Sequence, residues 1–534
     1  MTRFDLVLAN GTLVDGLGGP RRRSDVGVRA GRVTALGDLS GADTLQRIDV
    51  AGRIVAPGFV DIHAHSDFTV LSDPRAQSAV RQGITTQVNG NCGMSPVPAP
   101  VERAQEVRAA VNTVDPDPTV PGAWTTYADY VRAVEAARPS IHQAPLIGHI
   151  TLKVAAGGNR PGPATREERE AMVRMLEEAF DGGAVGVSTG LMFPPAISAD
   201  FAELEALGRT AARHDRLFAA HMRNYNDRLI EAVEEVLKVA RVTGCRLQVS
   251  HLAVAGRRNW GKVPRALELI DRARADGLDI AADIYPYVAG SANLSQLLPE
   301  WAQDGGTPAI VARLGDEATR RAILEDWRTS LFFGWDEVEI VLVDPGMEDL
   351  IGRTVQQIGE QRGIDPALTM LDLVRDTDNR VIMVAYGRSE DDLRAVLTHP
   401  ATSIGSDSLA MDPDGPSGIG RPHPRNFGCY PRFLGRYVRD AGIATLERAI
   451  AMSTSAAADR VGLRDRGRLV DGAAADIVVF DESTILDRAS FENPKQFPVG
   501  IDWVIVNGQI VVEGDRQHDD VRPGEVLSAA HASA

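Results

Sequence analysis

The 534-residue chain predicts an α/β fold: a (β/α)8 TIM-like barrel, a small β-domain formed by both chain termini, and an insertion before the last barrel strand. Three observations carry this prediction. Between about residues 56 and 465, short apolar runs alternate with helical patterns, as parallel β/α units do. Strand-like runs bounded by turn residues gather instead at the two ends of the chain. Polar residues, histidines prominent among them, terminate the apolar runs, where a barrel of this kind assembles its active site.

Residues 1–55 and 466–534 are assigned to the small β-domain. Leu6 to Val14 and Val504 to Val512 echo each other, and both read as Asn-Gly hairpins, around Asn10-Gly11 and Asn507-Gly508. Val26 to Val33 and Asp476 to Phe480 add strands. In the barrel region, 56–465, eight candidate strands end near His63, Asn89, His149, Ser188, His221, His251, Asp283 and Asp407. Thr165 and Glu168 have capping-box spacing, Pro264 suits the start of a helix, and Asp276-Gly277 suits its end. The stretch from Asp283 to Asp407 is far longer than one helical connection needs, which predicts an insertion over about 286–400. Val338 to Val343 and Val381 to Ala385 read as strands of that insertion, and the second also competes for a barrel position.

With 44% hydrophobic and 24% charged residues, the composition is that of an ordinary soluble protein. A net charge of -16 disfavours nucleic acid and anionic membrane as partners, since both need a basic surface. Cys92, Cys245 and Cys429 are too few and too scattered for a disulfide framework, so a reducing cytoplasm is the expected location. The segment from Met1 to Asp5 leads into a strand-like run without the apolar core of a signal peptide.

The chemistry rests on a cluster of metal-ligand residue types. His63 and His65 follow Phe59-Val60-Asp61-Ile62, and the two-residue period of a strand end puts both imidazoles on one side. That pair alone is equally compatible with chance. His221 and His251 each end an apolar run, and each taken singly reads as a core histidine. Four histidines at strand ends of one barrel favour a metal site. Asp407 ends the last run, where a carboxylate can touch the metal and accept a proton from its bound water, or cap the next helix. Cys92 lies in the Gly-rich turn Gly90-Asn91-Cys92-Gly93, able to present a thiolate or to be buried as a small apolar residue. Cys245 suits the latter fate better.

Phe59 to Asp67, Gly90 to Gly93, Ser188 to Leu191, His221 to Arg223, Ser250 to Leu252, Asp283 to Tyr287 and His423 to Arg425 follow one another in a recognisable order. With Asp465-Arg466-Gly467 and Gly472 to Asp476, they resemble the N-acyl-D-amino-acid deacylases, the D-aminoacylase branch of the amidohydrolase superfamily, over nearly the whole chain. The resemblance implies a zinc held tightly by Cys92, His221 and His251, a second, weaker site at His63 and His65 that Cys92 can bridge, and Asp407 as the acid/base. It implies a small-molecule amide as partner, an N-acyl-D-amino acid cleaved to a D-amino acid and a carboxylic acid. The chain also departs from that pattern. Ala253 stands where a basic residue commonly follows Ser-His-Leu, Phe193 replaces a tyrosine, and Tyr225 replaces an acidic residue. Tyr285 and Ser291 are retained as carboxylate-side residues, and Arg388 is a further candidate for the substrate carboxylate, or else a solvated surface residue. Loss of the basic residue leaves open the same chemistry on another amide, a cyclic amide or a carbamate. A non-catalytic barrel is the reading from another class, and the intact ligand set speaks against it.

Overall fold

A computed structural model describes residues 3–529, apart from 118, 121 and 123. The barrel strands are β1 (Phe59–Asp61), β2 (Ile84–Asn89), β3 (His142–Gly148), β4 (Gly186–Gly190), β5 (Leu217–His221), β6 (Arg246–Val249), β7 (Ile280–Ile284) and β8 (Thr402–Ile404). Each pairs in parallel with the next. β1 and β8 complete the ring just past their own ends: the Asp407 amide donates to the His63 carbonyl at 2.8 Å, and the His65 amide donates to the Ser408 carbonyl at 2.9 Å. The seam of the barrel thus runs through the residues singled out as metal ligands.

Helices cover the outside of the ring, so the strands are buried on both faces, polar side chains such as Thr86, Gln143 and Ser188 included. Phe218, Leu247 and Ile280 pack against Leu207, Val233 and Ile270 of those helices. Arg166–Asp181 begins on a reciprocal cap between Thr165 and Glu168. Val263–Ala275 carries Pro264 in its first turn and closes at Asp276.

Beside the barrel lie two β-sheets. One is built from N-terminal residues alone: Phe4–Ala9, Asp25–Arg29, Arg32–Gly37 and Thr44–Asp49. The other joins both termini, with Thr12–Leu13, Arg22–Arg23 and Ile54–Pro57 running into Ile477–Phe480, Ile501–Val506, Gln509–Glu513 and Arg516–Gln517. Asn507-Gly508 closes an antiparallel hairpin, both residues at positive φ. Asn10-Gly11 does not. Only Asn10 has positive φ there, whereas the two-residue turn of that type needs it at both central residues. Phe4–Ala9 and Thr12–Leu13 consequently enter different sheets, and Asn10 is held by Asp25 and Asp49.

Between β7 and β8 the insertion forms a three-stranded antiparallel sheet in the order Ala289–Asn293, Ile382–Tyr386, Val338–Leu342. Four helices, Gly306–Leu314, Glu317–Ser330, Val355–Arg362 and Pro366–Asp376, complete it around a core that includes Leu314, Ile323, Ile340, Ile358 and Met370. The run ending at Ala385 therefore holds no barrel position: its neighbours are antiparallel, and the edge of β7 is taken by β8. Among the described residues no helix is long and apolar enough to cross a membrane.

Candidate metal centre

His63 and His65 follow β1, Cys92 follows β2, His221 ends β5, His251 follows β6 and Asp407 follows β8. The backbone bends sharply at three of them. Cys92, His251 and Asp407 have φ of 52°, 33° and 53°, a left-handed region that costs non-glycine residues and gathers at functional sites. The Cys92 turn also lies hard against β4, because a Cβ on Gly190 would stand 2.0 Å from the Cys92 carbonyl.

These bends converge six side chains. Cys92 Sγ lies 3.4 Å from His63 Nε2 and 3.6 Å from His251 Nε2. His65 Nε2 lies 3.0 Å from Asp407 Oδ1, and His63 Nε2 lies 3.8 Å from the same oxygen. Three sets of ligand atoms fall within 4.8 Å of one another: His63, His65 and Cys92; Cys92, His221 and His251; His63, His251 and Asp407. The Cys92 sulfur is common to the first two.

The donor set fits a divalent metal. Neither ring nitrogen of His221 has a hydrogen-bond partner, although both are shielded from solvent. Such orphaned groups call for an explanation, and a soft thiolate among imidazoles is a zinc-type donor set. Burial alone would raise the Cys92 thiol, but His63, His221 and His65 pull it well below its usual range. Burial likewise opposes ionisation of Asp407, and Arg425, His65 and His63 outweigh it to hold the carboxyl well below the usual carboxylate range. His65 is pushed up to about 9 against its own burial, by Cys92 and Asp407. The cluster attracts positive charge, and bound metal would replace protons there.

The model of the amidohydrolase family matches residues 46–512. This chain belongs to the amidohydrolase family. It is 39% identical over 526 residues to the N-acyl-D-glutamate deacylase of Alcaligenes xylosoxydans xylosoxydans, covering 98% of this chain and 96% of that one. To the D-aminoacylase of the same organism it is 36% identical, over 95% of this chain and 94% of that one. A crystal structure of N-acyl-D-glutamate deacylase from Bordetella bronchiseptica, with zinc and a phosphonate mimic of the tetrahedral intermediate, has a TM-score of 0.85 at 37% identity, covering 99% of this chain and 100% of that one.

Around the metal cluster of this amidohydrolase the cavity has two lobes, which share Phe193, Ser291 and Asp407. Tyr225, Tyr285 and Arg388 line one of them. Ala253 lines neither, and packs in the barrel core. The Tyr225 hydroxyl is already engaged, accepting from the Met222 amide at 2.9 Å and donating to the Ser250 carbonyl at 3.1 Å. His149, at the end of β3, turns away toward Thr189 and Glu203.

Three residues matter here that the sequence assigns no role. Asp283 Oδ1 stands 3.2 Å from His63 Nδ1 and accepts the His251 backbone amide at 2.7 Å, while Oδ2 accepts from Gln248 at 2.9 Å, so one carboxylate faces the His63 ring and fixes the backbone of His251. Arg425 Nη1 lies 2.8 Å from Asp407 Oδ2. His423 accepts the Arg425 amide at Nδ1 and donates from Nε2 to the Ala289 carbonyl, which fixes it as a neutral imidazole; burial pushes its pKa well below the usual value. The only sequence signals for these are a carboxylate at the end of β7 and the run His423-Pro424-Arg425.

Proposed function

We propose that this amidohydrolase is a zinc-dependent deacylase that cleaves N-acyl-D-amino acids to a D-amino acid and a carboxylic acid. The observation that carries the reading is the Cys92 sulfur shared by two imidazole sets, with an ionised Asp407 beside them. Cys92, His221 and His251 would hold a zinc ion, with His63 and His65 as a second, weaker site, and the bound metal would supply acidified water and polarise the amide carbonyl. Asp407 Oδ1 faces the imidazoles and accepts the proton of the attacking water, while Oδ2 stays against Arg425. The same carboxyl then returns that proton to the leaving amine nitrogen. Asp283 holds His63 and His251 in register throughout.

The substrate carboxylate falls to Arg388, with Ser291 and Tyr285 beside it. Arg388 lies over the Tyr285 ring, 4.8 Å from its centre, and its Nη1 is shielded from solvent without a partner. A buried guanidinium N–H is a strong donor to a carboxylate. The alternative substrates, a cyclic amide, a carbamate or an amide without a carboxylate, would leave Arg388 unanswered. Phe193 and Tyr225 then act as walls of the site, and Ala253 packs in the barrel core. On this reading the activity is cytoplasmic, which the sparse, unpaired cysteines support, and its substrate is a small-molecule amide.

Hydrolysis of paired D- and L-N-acyl amino acids, and of amides without carboxylates, by the zinc-loaded protein tests the reading. The D-series should be turned over, and Asp407→Asn should lower kcat by roughly 10²- to 10⁴-fold. Preference for carboxylate-free amides, or near-normal turnover by the variant, would overturn it.

A further inference from the structure

We infer that the site accepts N-acyl-D-amino acids with apolar side chains and discriminates against those whose side chain carries a second carboxylate. This rests on the deacylase reading and goes one step further. Identity to relatives does not decide it, because one at 39% is named for D-glutamate and one at 36% is a D-aminoacylase. The linings do.

Among the described residues, the two lobes are lined by two guanidinium groups, Arg388 and Arg425. Arg425 is ion-paired with Asp407, Nη1 lying 2.8 Å from Oδ2, so its charge is already compensated although its Nε has no hydrogen-bond partner. Arg388 remains, and it is needed by the α-carboxylate that every substrate of the class carries. His423 offers a second carboxylate nothing, since both ring nitrogens are engaged with the backbone in the neutral form. Other arginines close to the insertion are paired away from the cavity, Arg421 with Glu339 and Arg257 with Glu337.

The remaining walls are mostly apolar, with neutral polar groups such as Thr69, Thr113, Asn293, Asn426 and Gln296 but no further lysine or arginine among them. Around Arg388 stand Leu297, Phe332, Phe333, Met383 and Ala385. Val341, Leu342, Ile382, Leu409, Met411 and Ile419 line the other lobe. Whichever lobe receives the side chain, a second carboxylate would lose its water and find no cation beyond those taken up by Asp407 and the α-carboxylate, a burial that proteins avoid or offset by pairing. Leucine, methionine or phenylalanine side chains would instead bury apolar surface there.

Two measurements on the full-length, zinc-loaded protein test this. The first compares kcat/KM for N-acetyl-D-leucine, -D-methionine and -D-phenylalanine with N-acetyl-D-glutamate and -D-aspartate. The second compares binding, by calorimetry, of phosphonate analogues of N-acyl-D-phenylalanine and N-acyl-D-glutamate. The apolar member should lead by more than about tenfold in both; a ratio below about tenfold, or a reversed one, overturns the inference. If no N-acyl-D-amino acid is hydrolysed at all, the deacylase reading fails, and the two phosphonate affinities still decide which side chain the cavity prefers.

Discussion

Cys92 ties the two imidazole sets together, so its loss should be felt by both. Cys92→Ala should strip zinc from the dialysed protein, whereas His63→Ala should retain more of it, as measured by elemental analysis. Full zinc occupancy in the cysteine variant would remove Cys92 from the centre. At this scale the residue types of the candidate site were legible, because His63, His65, Cys92, His221, His251 and Asp407 each sit at or just past the end of a strand. Asp283 and Arg425 were not. Their roles depend on reaching His63, His251 and Asp407 across the barrel, and a local pattern carries no record of such a partner.

Elements around β3 and β4 show a second buried charge network, distinct from the metal cluster. Lys153 and His149, on the helix His149–Gly157, meet Glu203 of Phe201–Arg213, at 3.0 Å and 3.1 Å. Burial, the largest influence, opposes ionisation of Glu203, yet the His149 hydrogen bond, the Ala164 amide and Lys153 prevail and hold it at about 2, against an ordinary 4.5. Because the folded-state pKa is depressed, this stabilisation is fully present above pH 4.5 and is lost as pH falls toward about 2. Glu203→Gln should therefore cost about 3–5 kcal/mol near neutrality by leaving Lys153 buried and uncompensated. Scanning calorimetry should find a lower Tm at neutral pH and a gap from the native protein that narrows in acid; equal Tm values at neutral pH would show that the network adds no stability. Strand and helix limits here follow from periodicity and capping, as at Thr165. The Asn10-Gly11 segment misleads because its conformation is set by Asp25 and Asp49, on strands that arrive later in the chain.

Over the whole molecule, the candidate metal centre lies on the seam where β1 meets β8, and backbone hydrogen bonds and an apolar core close the ring around it, so the fold should not depend on the ion. Chelation should abolish hydrolysis while far-UV circular dichroism stays unchanged. Tm should fall and recover with added zinc, because an ion that binds only the folded state stabilises it by mass action. Loss of the barrel signal on chelation would mean that the ion organises the fold. The sequence by itself determined the alternating β/α order, the placement of metal-ligand residue types at strand ends, the β-structure at both termini and the presence of an insertion, all of which are read from local periodicity and residue chemistry. Only the tertiary structure decided that Tyr225 is engaged by the backbone, that Ala253 faces the core, that Arg425 is paired with Asp407, and that Arg388 lies over Tyr285 among mostly apolar walls supplied in part by the insertion. Those properties are pairings between groups far apart along the chain, and burial and charge compensation take their values only once ring closure has brought the groups together.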